Sequence, residues 1–289
     1  MSKLLKGKPV ADEVYAELAQ RTETLRADGE ALQLAVVTVT GDPASAYYVQ
    51  AKRKVAERIG IGFRLYEFAA DCTEADLLAC IAGLNADPAV HGIMLELPLP
   101  KHLSTSRITE AIEPLKDVDG VTPASKLALL TGAPGLVPAT PQACIRLAKH
   151  YGYSLSGSNV TLVGRGKTVG MPLFHLLQRE QATVTVCHSR TRDLKQHLAH
   201  AEIAFVAVGF GGLVTSGMIH PELVLIDAGM NERPDGTIAG DVDPDAGAMA
   251  AAFTPTPGGI GTLTTALLFD NVYKAYELQR AAGQKEGHL

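Results

Sequence analysis

Between Asn159 and Thr191, two short β-branched runs, Val160 to Val163 and Ala182 to Cys187, enclose a glycine turn and an apolar helix-like stretch. Strand, turn, helix and strand in that order fill the length a βαβ crossover needs, and parallel strands require such a crossover. The segment therefore predicts a Rossmann-like parallel sheet covered by helices. Its turn carries Gly164, Gly166 and Gly170 in the spacing Gly-x-Gly-x-x-x-Gly, one residue longer than the usual dinucleotide fingerprint. Glycines there let the chain turn sharply and let a phosphate approach backbone at a helix N-terminus. A purely structural turn would use the same residues. A P-loop is excluded. Gly166-Lys167-Thr168 resembles its end, but the glycine it needs five residues earlier is Thr161.

The end of the second run points to the cofactor. A site for NAD usually places Asp or Glu there to bind ribose hydroxyls. This chain has His188, Ser189, Arg190 and Arg192, with Arg165 and Lys167 in the glycine turn. A cationic, hydroxyl-bearing site without a nearby acid suits a 2′-phosphate, so NADP is expected over NAD. Solvated surface charge is the competing reading of these arginines.

A length of 289 residues suggests two domains or one large one. Apolar residues at 46% and charged residues at 20% are ordinary for a soluble globular chain. The net charge of −5 argues against a general nucleic-acid or anionic-membrane binder. No apolar run approaches the ~20 residues of a membrane span, so no membrane partner is expected. The start, MSKLLKGKPVADEV, has no apolar h-region, and a cytoplasmic location is expected. Cys72, Cys80, Cys144 and Cys187 are scattered with no Cys-x-x-Cys pair, which predicts reduced thiols and no metal site.

Along the chain, Pro9 to Arg26 has helical apolar spacing, and Leu34 to Val39 is a fully apolar strand of the kind covered on both faces. Ala44 to Ile59 reads as a helix that places Tyr48 and Lys52, four apart, on one face. A phenol beside an amine in a cleft can relay a proton to a substrate nitrogen, though such a pair also occurs on plain helix surfaces. Ile61 to Phe68 and His91 to Leu97 are further strands, with a capping box at Thr73–Asp76 between them. Glu96 ends the second of these strands. That position is a ligand site in open α/β sheets or simply an exposed strand end. Asp117 and Asp119 lie in an acidic turn without further metal ligands, where one could instead bond a heterocycle bearing an amino group. Pro138 starts a helix at a domain boundary. Ile203 to Val208 and Leu223 to Ile226 add strands that end at Gly209 and at Asp227-Ala228-Gly229. Gly240-Asp241-Val242-Asp243 is another acidic turn, and the stiff loop Pro255 to Gly261 leads into a last helix, Leu263 to about Arg280.

Together the segments VTGDPASAYYVQAK, GIMLELPLP, KDVDG, PATP, VGRGKTVGMP, ATVTVCHSRT, DAGMN, GDVD and PTPGGIGTLTTA resemble the bifunctional methylenetetrahydrofolate dehydrogenase/methenyltetrahydrofolate cyclohydrolase family, in its order and spacing. The resemblance implies two α/β domains with a cleft between them and a homodimer. A folate domain, 1–140, would be joined by the returning helix 261–289, and a Rossmann-like NADP-binding domain would span 141–260. It also implies roles. Lys52 is the catalytic lysine, and Tyr48 stacks on the pterin–aminobenzoate system. Asp119 anchors the pterin. Arg165 and Ser189 bind the 2′-phosphate. Thr140, Pro257, Gly258 and Gly259 line the place where nicotinamide and folate meet.

One departure bears on chemistry. The family pattern has Gln at the position of Glu96, where it bonds the catalytic lysine. A carboxylate there would pair with Lys52 and hold it as an ammonium, a poorer base. Weakened cyclohydrolase activity with retained dehydrogenase activity is the expectation, although a protonated Glu96 could mimic the Gln. Milder departures are Gly166 for Ser, Ala139 for Cys, Ala143 for Gly, Ser125-Lys126-Leu127 for Asn-x-Gly and Thr262-Leu263 for Pro-Met. They leave open a dehydrogenase on an altered substrate, or a non-catalytic NADP or folate sensor that would not need Lys52.

Overall fold

The computed structural model describes residues 2–40 and 43–286, without the side chains at 43–48, 285 and 286. Its strands are β1 (Lys3–Leu4), β2 (Gln33–Val39), β3 (Gly62–Phe68), β4 (Gly92–Leu95), β5 (Asn159–Val163), β6 (Thr183–Cys187), β7 (Ile203–Val206), β8 (Val224–Asp227), β9 (Asn231–Glu232), β10 (Ile238–Ala239) and β11 (Ala252–Phe253). The helices are α1 (Gly7–Ala27), α2 (Pro43–Ile59), α3 (Glu74–Ala86), α4 (Thr105–Glu110), α5 (Pro123–Thr131), α6 (Ala139–His150), α7 (Gly170–Arg179), α8 (Leu194–Ala199), α9 (Pro244–Met249) and α10 (Ile260–Glu286). The chain divides into two compact units, residues 14–137 with 268–289, and residues 1–13 with 138–267.

The first unit holds a parallel sheet in the order β3-β2-β4. The five central residues of β2, Leu34 to Thr38, are buried, as a strand covered on both faces requires. Val37 and Leu95 pack with Leu77, Ile81 and Leu84 of α3 into one core. Each such buried aliphatic side chain contributes roughly 1.5–3 kcal/mol. The capping box forms: the Thr73 hydroxyl accepts from the Asp76 N–H, and the Asp76 carboxylate accepts from the Thr73 N–H. β4 ends at Leu95, two residues earlier than its apolar run, because the chain turns into Pro98 and Pro100, which lack donors. Glu96 is thus the first residue past the strand, and its N–H still donates to the Val37 carbonyl at 2.9 Å.

At the other end of α3, buried Lys116 donates to the carbonyls of Leu84, Asn85 and Asp87 at 3.0, 2.8 and 2.8 Å. A cation at a helix C-terminus satisfies carbonyls that have no partner within the helix. Lys116→Met leaves these carbonyls without that donor and should cost about 2–4 kcal/mol. Urea unfolding checks this, and a loss under roughly 0.5 kcal/mol would mean water replaces the ammonium freely.

The second unit holds a parallel sheet in the order β1-β11-β8-β7-β5-β6. The register aligns Cys187, Val163, Val206 and Asp227 in one row at the carboxyl ends. The chain passes from β5 to β6 on one side and then returns to β7 on the other. That reversal opens a crevice beyond the carboxyl ends of β5 and β7, the place where such sheets bind ligands. The expected division assigned residues 1–140 to the folate domain, whereas β1 is an edge strand of this second sheet and residues 1–13 group with it. Two-residue strands such as β1 and β11 carry no periodicity, so the sequence shows no signal for them.

Candidate functional site

In the unit of residues 14–137 and 268–289, Lys52 on α2 and Glu96 after β4 form an ion pair of 2.7 Å, with side chains only 14% and 12% exposed. The side chain of Tyr48, one turn earlier on α2, lies outside the described residues. Asp119 stands close enough to feel both partners. Burial pushes its carboxyl up to about 7; Lys52 pulls it down, while Asp117 and Glu96 push it further up. Its side chain is partly buried, with part of its surface still meeting solvent. Lys52, Glu96 and Asp119 are therefore gathered at the carboxyl edge of the β3-β2-β4 sheet.

The two aspartates of the acidic turn have separate tasks. Asp117 is fully buried and accepts from the Val121 N–H, the Thr122 N–H and the Ser125 hydroxyl at 3.0, 2.8 and 2.7 Å. It shapes the loop and, being fully buried, presents no surface to a ligand. Ser125, one of the departures from the family pattern, is buried in this clamp, so that substitution serves the loop. Of the two, only Asp119 keeps a partly exposed side chain. No group of three or more metal-binding side chains occurs among the described residues.

The second unit carries the other expected residues. Gly164 has φ of +114°, and a Cβ there would stand 2.2 Å from the Ala207 carbonyl oxygen. A Cβ on Gly170 would stand 2.5 Å from the Gly164 carbonyl oxygen. Both positions demand glycine, one for its dihedral and one for the close approach of α7 to the turn. Gly166 is exposed, and a Cβ there would meet nothing within 4 Å. Gly164→Ala should thus weaken NADP binding roughly tenfold or more, whereas Gly166→Ala should stay within about twofold. Fluorescence titration with NADPH separates the two, and equal effects would show that the clash at Gly164 relaxes away.

Beyond β6, the Thr191 hydroxyl accepts from the His188 N–H at 2.9 Å, and the Thr191 N–H donates back to the His188 carbonyl at 2.8 Å. The imidazole of His188 accepts from the Arg190 N–H at 3.1 Å. This tight turn leaves Ser189 and Arg190 exposed at the carboxyl edge, where Arg165, Lys167 and Arg192 are exposed too. No carboxylate pairs with these cations among the described residues, so the edge suits a phosphate monoester. The row continues with Gly209, at φ of +69°. Thr140 is the second residue of α6, and its hydroxyl lies 3.4 Å from the Thr264 hydroxyl. The loop of Pro257, Gly258 and Gly259 is pinned to the N-terminal segment by the Gly7 N–H, which donates to the Gly258 carbonyl at 2.9 Å. Glycine cradle, helix N-terminus and cationic edge together fit a dinucleotide phosphate.

Sequence reasoning missed one cluster. Asp227, Asn231 and Asp241 are bonded together at the carboxyl end of β8. Burial pushes the Asp227 carboxyl up to about 6, although the N–H groups of Val242, Gly229 and Asp241 stabilise its charged form. The signal was present in the glycines that precede or follow these acids, Gly229 and Gly240, since each would collide with a carboxylate if it carried a Cβ.

The family model described as tetrahydrofolate dehydrogenase/cyclohydrolase, catalytic domain, matches residues 5–119, and that described as its NAD(P)-binding domain matches residues 138–280. A bifunctional protein FolD from Heliobacterium modesticaldum is 52% identical, over 94% of this chain and 96% of its own length. Among solved structures, the bifunctional FolD of Campylobacter jejuni superposes with a TM-score of 0.92 at 36% identity, covering 96% of this chain and 99% of that one. The Trypanosoma brucei enzyme, solved with NADP and an inhibitor, superposes with a TM-score of 0.90 at 31% identity, covering 96% and 98%.

Proposed function

This chain belongs to the tetrahydrofolate dehydrogenase/cyclohydrolase family, and we propose on that premise that it oxidises 5,10-methylenetetrahydrofolate with NADP⁺ and slowly hydrolyses the methenyl product to 10-formyltetrahydrofolate. The observation that carries this reading is the little-exposed Lys52–Glu96 pair with Asp119 close enough to feel both charges.

Asp119 binds the pterin edge, as acceptor from its amino and ring N–H groups when ionised. Tyr48 stacks on the ring system. Arg165, Ser189 and Arg190 hold the 2′-phosphate. Gly164 and Gly209 let the dinucleotide lie against backbone, Gly166 stands in the same turn without needing to be glycine, and Thr140, Pro257, Gly258 and Gly259 border the nicotinamide. Bound there, NADP⁺ supplies the hydride acceptor. The protein's share in that step is alignment, which is worth several orders of magnitude in rate. The carbon between N5 and N10 then bears positive charge, and the Glu96 carboxylate stabilises it. Hydrolysis needs a base for the attacking water and an acid for the departing nitrogen, the part of Lys52. An ammonium tied to Glu96 at 2.7 Å performs it poorly. In the cell we place the enzyme in the cytoplasm as a homodimer, which light scattering would check.

The test is an assay with 5,10-methylenetetrahydrofolate and NADP⁺, followed for NADPH and, without acid quench, for methenyltetrahydrofolate. NADPH together with accumulating methenyl product is expected. NADPH with formyl product alone would overturn the slow second step, and no NADPH would overturn the reading as a whole.

A further inference from the structure

The acidic turn GDVD and the segment DAGMN found no part in binding or catalysis, yet they form a densely bonded polar cluster. Asp241 is fully buried. Its Oδ2 accepts from the N–H groups of Val208 and Gly209 at 2.6 and 3.0 Å, and its Oδ1 accepts from the Phe210 N–H and the Asn231 side-chain amide at 2.9 and 2.8 Å. Three successive backbone N–H groups converging on one anion make the kind of concavity that elsewhere binds phosphate. Here a carboxylate of the chain itself fills it.

The lock is reciprocal. Asp227, at the end of β8, accepts from the N–H groups of Asp241 and Val242 at 3.1 and 2.9 Å, and from the Gly229 N–H at 2.8 Å. The space is shaped for both acids. A Cβ on Gly229 would stand 2.2 Å from the Asp241 carboxyl carbon, and one on Gly240 would stand 1.9 Å from an Asp227 oxygen. What the lock holds is the segment that follows β7. That segment backs the glycine turn: beside a Cβ on Gly164 the first neighbours would be the Ala207 carbonyl, at 2.2 Å from its oxygen, and the Val208 side chain, at 3.2 Å. Gly209 and the exposed Val208 and Phe210 therefore reach the crevice at the carboxyl ends of β5 and β7 only as far as Asp241 permits.

We propose that Asp241 is a positioning residue for the dinucleotide. Its carboxylate occupies the N–H groups of Val208, Gly209 and Phe210 and so fixes that segment as the wall against which the cofactor lies. Two consequences follow. Those three N–H groups are spent on Asp241, so the cofactor meets this wall through Cα and side-chain surface, and its phosphates depend on the Gly164–Gly170 turn for backbone donors. Loss of the anion frees the segment, which weakens cofactor binding more than it slows hydride transfer.

The inference rests on the NADP reading above, and the experiment separates the two. NADPH is titrated by fluorescence into wild type, Asp241→Asn and Asn231→Ala, at a temperature well below the unfolding transition of each, with KM and kcat measured in parallel. An Asn at 241 keeps the size but replaces one acceptor by a donor facing the segment's N–H groups. Its Kd should rise at least tenfold and its KM for NADP⁺ in step, with kcat at saturating cofactor falling less than threefold. Asn231→Ala removes one of four donors and leaves the carboxylate, and its Kd should rise two- to fivefold. A folded Asp241→Asn protein with a Kd within twofold of wild type overturns the proposal, as does a fall in kcat with KM unchanged. Should Asp241→Asn fail to fold, Asn231→Ala decides, and an unchanged Kd there overturns it. Wild type that binds no NADPH overturns the functional reading instead.

Discussion

Glu96→Gln should raise the rate of methenyltetrahydrofolate hydrolysis about a hundredfold while changing dehydrogenase turnover far less. The expected size follows from the ion pair. Lys52 and Glu96 stand 2.7 Å apart with little exposure, and separating such a buried pair costs about 3–5 kcal/mol, a figure that includes the charge left behind. A lysine that must leave this pair to move a proton carries much of that cost in its barrier, and about 2.7 kcal/mol corresponds to a hundredfold in rate. A Gln side chain bonds the same nitrogen without a counter-charge, so the cost falls. The dehydrogenase step asks for no proton from Lys52. It leaves a cation on the substrate, which the carboxylate favours, and Glu96→Gln should lower that rate by a few-fold at most. The decay of methenyl absorbance in the absence of NADP⁺ reports hydrolysis directly. A ratio of hydrolysis to oxidation that stays the same in the variant would sink this account.

The reason Glu96 could be singled out without coordinates is that its signal is local. A polar residue ending an apolar run, two residues before Pro98, marks the carboxyl end of a strand, and that is where open sheets collect ligands. Gly164 and Gly170 were legible for the same reason, because a demand for positive φ or close approach is written into one residue. The acidic turns show the limit. Lys116, Asp117 and Asp119 are three charged residues within four positions, and nothing in their order says that Lys116 caps α3, that Asp117 is bonded to Val121, Thr122 and Ser125, and that Asp119 stands beside Lys52 and Glu96 with its carboxyl raised by burial. Their fates depend on partners up to 32 positions away in the chain. The same holds for Asp241, whose donors at 208–210 lie more than 30 positions earlier. It holds also for β1, which has two residues and owes its strand geometry to β11. Short-range chemistry is visible in a sequence, while assignment among equivalent charges is made by tertiary packing.

Asp119→Asn should cost about a hundredfold in kcat/KM for the folate and yet make the protein more stable above neutral pH. The first effect is the loss of an acceptor for two N–H groups of the pterin, at about 1.5 kcal/mol or more for each charge-assisted bond. The second comes from the raised carboxyl. In the folded protein burial holds Asp119 at about 7, against about 3.9 in an unfolded chain. Below about pH 4 both states carry the proton and the wild type loses nothing. As pH rises from 4 to 7 the unfolded chain releases its proton while the folded one keeps it, so stability falls through this window and levels off above pH 7. Full conversion of the shift would give about 4 kcal/mol. Part of the carboxyl surface meets solvent, so roughly 2 kcal/mol is the better expectation. Asparagine does not titrate and escapes this loss. The melting temperature of Asp119→Asn should exceed that of wild type by about 4–8 °C at pH 8, and the gap should close toward pH 4–5. Parallel melts across that range decide the matter: a gap that does not change with pH would mean that Asp119 keeps an ordinary affinity for its proton. A gap that opens with pH, beside lost activity, would identify Asp119 as a group held in the fold at a cost to stability for what it does with substrate.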